Sequence, residues 1–302
     1  MPQHSLRFLF AGFSSYVIWG FLPVLLRLID RYDGFTIVLH RTITAMILLL
    51  LVTITFLRKL CRSDLRRFLE STKKAKTIIL TVIGSILLVS NWLVYIYVVN
   101  KISINAAAFS YFVLPITTAF LAFLILKEQL NRLKIAGILL SSISCVLLAN
   151  IGLSEVIFVI TTTLTYSLYL ISQRQNTALH RMTSLLIQLF LASIWMLIFN
   201  PNPYQPFSLG PDFWWVITVI SLFFTLLPLF LNLYALNGLE SAQLSFLVYV
   251  SPITSFLIAI SFYNEKLSPL TGIAYLLLIV AILCFNWDLL KFIVTRLKKR
   301  LA

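Results

Sequence analysis

The sequence is poor in the residues that keep a folded protein in water. Only 11% of its 302 residues are charged, 60% are hydrophobic, and the mean hydropathy is +0.97. A chain of this composition cannot cover its surface with polar groups. A water-soluble globular fold is therefore excluded, and membrane lipid is the expected solvent.

Residues that carry most catalytic chemistry are also scarce. There are three histidines and three cysteines, and the cysteines lack the spacing of a disulfide framework or a metal site. The sequence contains no HExxH zinc motif, no GxSxG nucleophile elbow, no phosphate-binding glycine-rich loop and no close pair of membrane-embedded aspartates. We therefore expect no enzyme, no cofactor and no metal site.

Acidic residues number ten against 24 basic ones, and all ten fall at or near the ends of predicted helices. No carboxylate is predicted at the middle of the membrane. A proton-coupled exporter of organic cations normally needs such a group to bind the cation and to titrate, so this mechanism is disfavoured. We expect Glu128 and Glu265 to hydrogen-bond to backbone, or to pair with Lys127 and Lys266 at the membrane surface.

What the sequence does contain is a series of apolar runs of about the 20 residues that cross a bilayer core. Leu, Ile and Phe dominate these runs without polar alternation, so helices rather than strands are predicted. The expected fold class is an all-α integral membrane protein. Its ten transmembrane helices are predicted near 8–28, 36–57, 77–99, 104–126, 134–151, 155–171, 185–200, 213–235, 240–262 and 270–288.

The net charge of +14 is distributed as in a membrane protein rather than in a nucleic-acid-binding one. With a cytoplasmic N-terminus, 19 of the 24 basic residues fall on the inner side, eight of them between Arg58 and Lys76. The positive-inside rule then predicts that both termini are cytoplasmic. Anionic lipid headgroups are the expected partners of the basic segment, and no nucleic-acid partner is expected. The oligomeric state is not fixed by the sequence.

The two halves of the chain repeat each other at a fixed offset of 137 residues. Asn100 recurs as Asn237, Pro115 as Pro252 and Glu128 as Glu265. The sequence therefore divides into units 1–151 and 152–302. Each unit contains five predicted spans, an odd number, so the second unit enters the membrane from the opposite face as an inverted repeat. Such a duplication suits transport by alternating access, and duplication without transport is the alternative.

Several stretches resemble a known family. They are YVIWGFLPVLLRLI at 16–29, the HR pair at 40–41, NWLVYIYVVN at 91–100, YFVLP at 111–115, LKEQL at 126–130 and FLVYVSPITSFLIAISFYNEKLSP at 246–269. Together they look like the RarD group in the EamA-type branch of the drug/metabolite transporter superfamily. The resemblance implies two five-helix repeats, a bacterial inner-membrane location and a permease function. It implies no particular substrate.

Two prolines lie at matched positions in the repeats. Pro115 and Pro252 fall near the middle of the fourth and ninth predicted helices. Each lacks a backbone donor and frees the carbonyl four residues earlier, at Tyr111 and Val248. Free carbonyls at this depth need a cavity, a water or a side chain, and matched interruptions indicate a transport site. A kink that only improves packing is the alternative.

Polar and aromatic side chains that fall on helices expected to face the cavity complete the set of candidates. Amides in hydrocarbon must find partners, which favours the two asparagines. Aromatic residues at helical spacing are also common as core or as interfacial anchors. Besides the two prolines, the predicted cavity residues are Trp19, Arg41, Asn91, Trp92, Tyr95, Tyr111, Tyr166, Tyr169, Asn232 and Tyr249.

Arg41 is the most distinctive of these residues. It is predicted about five residues into the second helix, beside His40, and a guanidinium at that depth requires an anion, carbonyls or water. Three interpretations stay open: a substrate-binding role, extension of the side chain to outer headgroups, and a structural contact with a carbonyl or with Asp30 or Asp33.

These observations predict a bacterial inner-membrane permease that moves a small metabolite or drug, most simply by export through alternating access. An importer or facilitator of an amino-acid-like solute on the same fold is the first alternative. A membrane scaffold or sensor that transports nothing is the second.

Overall fold

A computed structural model describes residues 5–98, 102, 104–149, 152, 155–200, 209–263 and 269–301. Every regular element within these ranges is helical, as predicted. The helices are α1 (Ser5–Leu26), α2 (Gly34–Thr55), α3 (Arg58–Glu70), α4 (Lys74–Tyr97), α5 (Ile104–Leu126), α6 (Arg132–Leu148), α7 (Val156–Gln175), α8 (Arg181–Ile198), α9 (Pro211–Ser221), α10 (Leu227–Ala235), α11 (Ser241–Phe246), α12 (Val250–Tyr263), α13 (Pro269–Phe285) and α14 (Trp287–Leu301).

Seven helical stretches in the described ranges are long and apolar enough to cross a membrane. They are formed by α1, α2, α4, α5, α7, α8 and the continuous stretch from α9 through α10. The other apolar helices are shorter: α6 and α13 have 17 residues each, α12 has 14 and α11 has six. Because these stretches are apolar on all sides and many large hydrophobic residues are exposed, the bundle is a multi-pass membrane protein.

The structure differs from the predicted helix boundaries in two basic segments. Residues 58–76 were expected to be a loop, but Arg58–Glu70 forms the amphipathic helix α3. The last predicted span was 270–288, whereas α13 ends at Phe285 and a further helix, α14, runs from Trp287 to Leu301. Both helices are rich in Lys and Arg, so hydropathy alone does not reveal them.

Two of the predicted spans are interrupted. A π-helical turn at Leu222–Leu226 separates α9 from α10, and a 3-10 turn at Leu247–Tyr249 separates α11 from α12. Pro228 follows the first turn and Pro252 follows the second. A proline cannot donate its backbone N–H, so the regular hydrogen-bond ladder is lost just before each of them.

Helix packing is matched between the two halves. In chain order, α1, α2, α4, α5 and α6 correspond to α7, α8, α9 with α10, α11 with α12, and α13. Helix α4 packs on α7 in the same way that its counterpart α10 packs on α1. Helix α5 also packs on α7, and its counterpart α12 packs on α1. Helix α4 further contacts α8, and the counterpart pair α9 and α2 is also in contact. Counterpart helices also pack on each other, as in α2 with α8 and α6 with α13.

The two ends of the bundle differ in charge. One end, which we call the basic end, contains α3 and the connections 127–131, 176–180 and 236–240. The opposite end, called the far end, contains the described connections 30–33 and 209–210. Asn100 and Glu265, which the sequence repeat singled out, and Lys266, a predicted partner of a repeat glutamate, lie outside the described residues.

Candidate solute-binding site

Arg41 is buried inside the far half of the bundle. It is the eighth residue of α2, somewhat deeper than predicted, because the helix begins at Gly34. At a rise of about 1.5 Å per residue, Arg41 lies about 10 Å below the start of the helix. Only 9% of Arg41 is exposed, and its Nε has no hydrogen-bond partner among the described residues.

Aromatic rings lie close to this guanidinium. Its Cζ lies 4.6 Å from the centroid of the Trp92 ring, which is cation–π geometry. Tyr111 lies within electrostatic range of Arg41, and the centroids of Tyr111 and Tyr95 are 5.3 Å apart. No described carboxylate forms an ion pair with Arg41. The structure therefore places Trp92 against this positive charge and the Tyr95–Tyr111 pair near it.

Neither structural alternative for Arg41 matches this geometry. A side chain that reaches the outer headgroups would be exposed, whereas Arg41 is buried. Asp33 instead caps α2, because its Oδ2 accepts hydrogen bonds from the backbone N–H groups of Phe35 and Thr36 at 2.9 and 3.2 Å. The Arg41 guanidinium thus keeps hydrogen-bonding capacity that the described protein groups leave unused.

A line of tyrosines runs from Arg41 toward the basic end. We call Tyr111, Tyr16, Tyr166 and Tyr169 the tyrosine column. The Tyr166 hydroxyl lies beside that of Tyr16 without reaching hydrogen-bond geometry, and the Tyr166 and Tyr169 centroids are 5.9 Å apart. Tyr111 is 36% exposed, whereas Tyr16, Tyr166 and Tyr169 are buried, with 2%, 9% and 0% exposed. Of these four tyrosines, only Tyr111 is therefore accessible from outside the bundle.

Trp19 packs beside this column but is already engaged in a hydrogen bond. Its ring centroid is 5.3 Å from that of Tyr16, and its Nε1 donates to the Phe224 carbonyl at 3.0 Å. Phe224 is the carbonyl that Pro228, four residues later, leaves without a helical donor. Trp19 therefore supplies the hydrogen bond that this carbonyl of the π-helical turn lacks. Such π-helical turns are often found at functional sites. Ser221 ties the same segment to α2 by donating to the Arg41 carbonyl at 3.0 Å.

Three other candidates hold helices together. Asn91 donates to the Thr162 carbonyl at 2.9 Å, which joins α4 to α7. Tyr249 donates to the Phe112 carbonyl at 2.9 Å, a contact between repeat counterparts that are 137 residues apart. Asn232 donates to the Tyr16 hydroxyl at 2.7 Å, but its Oδ1 has no partner among the described residues. Of the three, Asn232 retains free acceptor capacity beside the tyrosine column.

The two matched prolines lie in unlike surroundings. Pro115 is buried within the continuous helix α5, whereas Pro252 is only partly buried and stands just after the 3-10 turn that interrupts the ninth span. The sequence equivalence therefore does not extend to equal local geometry. Pro228, which the sequence analysis did not single out, accompanies the other interruption.

Arg181 is a second buried arginine that the sequence analysis missed. It is the first residue of α8, and 5% of it is exposed. Its Nε donates to Asn237 Oδ1 at 2.9 Å, and its Nη1 donates to the carbonyls of Gln173 and Asn176 at 2.8 and 3.0 Å. A signal was present: Leu-His-Arg at 39–41 recurs at 179–181, with an offset of 140 rather than 137.

Further polar contacts tie the basic end together. Glu128 accepts hydrogen bonds from the backbone N–H groups of Ser241 and Ala242 at 2.8 and 3.1 Å, which confirms the predicted bonding to backbone. Lys134 forms an ion pair with Glu240, and Arg174 donates to the Leu236 carbonyl. Burial raises the pKa of the Glu128 carboxyl above its usual range, although the two backbone donors oppose the shift.

An all-helical bundle with an apolar surface and a polar, aromatic interior defines the chain as a multi-pass membrane protein with a buried polar site. Comparison with known proteins makes this specific. The EamA-like transporter family matches residues 6–150 and again residues 153–287. The chain belongs to this family, and thus to the drug/metabolite type of inner-membrane transporters.

Relatives of similar length support the resemblance to the RarD group. The uncharacterized transporter YojE of Bacillus subtilis is 27% identical, over 92% of each chain. The uncharacterized transporter PA0485 of Pseudomonas aeruginosa is 28% identical, over 91% of this chain and 92% of the relative. Protein RarD of Escherichia coli is 24% identical over the same shares.

A solved crystal structure has the same fold. It superposes with a TM-score of 0.71, at 15% sequence identity, over 92% of this chain and 96% of its own. This likeness concerns the fold alone.

Proposed function

We propose that this protein is a RarD-like permease that exports a small organic solute by alternating access, and that Arg41 binds a negatively charged group of that solute. The observation that carries the proposal is the buried guanidinium of Arg41, which lies on Trp92 and pairs with no described carboxylate. A buried positive charge without a counter-ion is costly unless an anion or water joins it. A carboxylate presents two oxygens that match the planar guanidinium.

The surroundings of Arg41 favour a solute that also has an apolar or aromatic part. Trp92, Tyr95 and Tyr111 offer ring faces and edges, while Tyr169 and Asn232 contribute polar atoms without partners deeper in the bundle. Binding pockets for small molecules commonly combine apolar walls with a few placed polar groups. A permanent cation would be repelled by the guanidinium as well as desolvated.

Ten spans in two inverted units, 1–151 and 152–302, are part of the proposal. Matched helix packing and the double family match support this arrangement. The basic end is proposed to face the cytoplasm with both termini, because α3 is strongly basic and anionic headgroups attract such segments. Native Cys61 in α3 should then react with an impermeant thiol reagent in inside-out vesicles only, whereas a Leu209→Cys variant that also carries Cys61→Ser should react in intact cells only.

The function is tested with a matched set of solutes that share one phenyl ring and differ in the head group, which is a carboxylate, an amino acid, an amide or an ammonium. Purified protein is examined by thermal shift, since a ligand bound only by the folded state raises the unfolding temperature. Proteoliposomes loaded with each radiolabelled solute then report efflux.

The carboxylate or the amino acid should stabilise the protein and leave the vesicles saturably, whereas the ammonium should do neither. Uptake without efflux would favour an importer, and preference for the ammonium would contradict the role of Arg41. The absence of saturable flux for every solute in a wider chemical screen would favour a membrane scaffold.

A further inference from the structure

We propose that Arg181 acts at the basic end of the same solute path on which Arg41 lies in the far half. In this proposal, which rests on the proposed function, its guanidinium closes the path while it is bonded to Asn237. It receives the anionic group of the solute when the basic end opens. Arg181 is thus both a gating and a charge-selecting residue.

The first support is positional. Leu-His-Arg occurs at 39–41 in α2 and at 179–181 at the start of α8. The helices α2 and α8 are counterparts in the two halves, and they pack on each other. Arg41 is the eighth residue of α2 and Arg181 is the first residue of α8, so the two arginines do not occupy equivalent helix positions, but α2 begins at the far end and α8 begins at the basic end. Accordingly, Arg41 lies toward the far end and Arg181 lies at the basic end.

The second support is that the two arginines are in opposite bonding states. Arg181 makes three hydrogen bonds that join α8 to the end of α7 and to the connection after α10. Arg41 makes none of these bonds and stacks on Trp92 instead. Two buried arginines near opposite ends, one bonded and one unbonded, fit alternating access, in which one gate is closed while the other is open.

The third support is the tyrosine column, which connects the two arginines. Tyr111 lies within electrostatic range of Arg41, and Tyr169 lies within electrostatic range of Arg181. Tyr169 is fully buried, and its hydroxyl has no partner within the described part of the chain. A solute that leaves Arg41 therefore meets hydroxyl groups and then a second guanidinium. Because Arg181 is engaged in protein bonds while the basic end is closed, it attracts the anion only after opening.

Charged thiol reagents test this without knowledge of the natural solute. Tyr169→Cys is introduced after replacement of Cys61, Cys145 and Cys284, and the purified protein is placed in nanodiscs. Three methanethiosulfonates of similar size are used: a neutral one, an anionic ethylsulfonate and a cationic trimethylammonium. The rate with the neutral reagent reports opening, and the anionic-to-cationic rate ratio reports the charge that the path presents.

Two variants separate the two roles. Asn237→Ala removes the acceptor for Arg181 Nε but keeps the guanidinium. The rate with the neutral reagent should therefore rise by about fivefold or more, while the anionic-to-cationic rate ratio should stay above one. Arg181→Gln should also raise the neutral rate, but the ratio should fall by about fivefold or more because the local positive charge is lost. Arg132→Gln, which removes an exposed charge at the same end, is the matched control and should change both by less than about twofold.

An unchanged ratio in Arg181→Gln would show that the path does not sense this charge, and an unchanged neutral rate in Asn237→Ala would show that the bond is no gate. Either result overturns the proposal. If Arg181→Gln does not fold, the neutral rate in Asn237→Ala still decides the gate. These labelling rates do not depend on flux, so a protein that transports nothing can still show both effects. Failure of the gate proposal can therefore be distinguished from failure of the proposed transport function.

Discussion

Replacing Arg41 by Gln should reduce transport of a carboxylate-bearing solute by at least about tenfold. Glutamine keeps a polar side chain of moderate length but removes the positive charge and the planar set of donors. The protein should still fold, because Arg41 makes no described ion pair whose partner would be left buried and unpaired. The loss should therefore fall on solute binding rather than on yield.

The magnitude follows from the surroundings of the guanidinium. A hydrogen bond to a charged group contributes about 1.5 to 3 kcal/mol, which corresponds to roughly 10- to 150-fold in affinity. The burial of Arg41, with 9% exposed, places the interaction in a region where water screens it poorly. Its Trp92 contact is also lost in the variant, but that contact stabilises the empty protein as well and contributes less to the difference.

Efflux from proteoliposomes and solute-dependent thermal shift are measured for the parent, Arg41→Gln and Arg41→Lys. The lysine variant should recover only part of the activity, because an ammonium keeps the charge without the bidentate geometry. Arg27→Gln is the matched control at the far end, since Arg27 is exposed. If Arg41→Gln inserts, folds and transports a carboxylate like the parent, the guanidinium binds no solute and the charge argument fails.

Three further changes test the packing and the basic end. Gly20→Ala should destabilise the protein by about 1–3 kcal/mol, because a Cβ there would lie 2.5 Å from Thr254 Cβ; an unchanged unfolding temperature would contradict this close approach. Asp64 Oδ2 accepts a hydrogen bond from the backbone N–H of His180 at 2.8 Å. Asp64→Ala should lower the free energy of unfolding by about 1–3 kcal/mol because this N–H loses its acceptor. Asp64→Asn should recover most of that stability in the same thermal melt. Burial raises the pKa of the Glu128 carboxyl, so this carboxyl holds its proton more tightly when the basic end is closed than when it is open. Its contribution to closure is present below the ordinary glutamate pKa and is lost as pH rises through the raised value. Labelling of Tyr169→Cys by the neutral methanethiosulfonate is divided by the rate of a free thiol at the same pH, because the thiolate is the reacting form. This normalised rate should rise with pH, and Glu128→Gln should remove that rise.

The sequence predicted the parts of the fold that depend on hydropathy. Apolar runs located the bundle helices to within a few residues. A backbone that crosses lipid must pair its own N–H and C=O groups, and an apolar run of about 20 residues does so as a helix. It also predicted Arg41, Trp92, Tyr95 and Tyr111 as cavity residues, and the structure places these four together. Their roles in solute binding stay predictions.

Other features could not be read from hydropathy or from a single repeat offset. The helix α3 is too basic to register as an apolar run, and its position depends on Asp64 bonding to a distant backbone group. Asn91 and Tyr249 fit the pattern of cavity residues but serve as helix-to-helix contacts. Their partners are carbonyls, which a sequence pattern does not distinguish from solute groups.

Two arginines separated by neutral hydroxyl groups have a consequence for energy coupling. Nothing between Arg41 and Arg181 in the tyrosine column carries a carboxylate, so the column offers no acidic group that would titrate along the path. A solute anion could then cross by exchanging one guanidinium for another, with hydroxyls solvating it between them. Any influence of pH would act through the solute itself or through the basic end, where Glu128 has a raised pKa and contacts α11. The site for charge selection and the site for proton linkage are therefore expected to be separate in this protein.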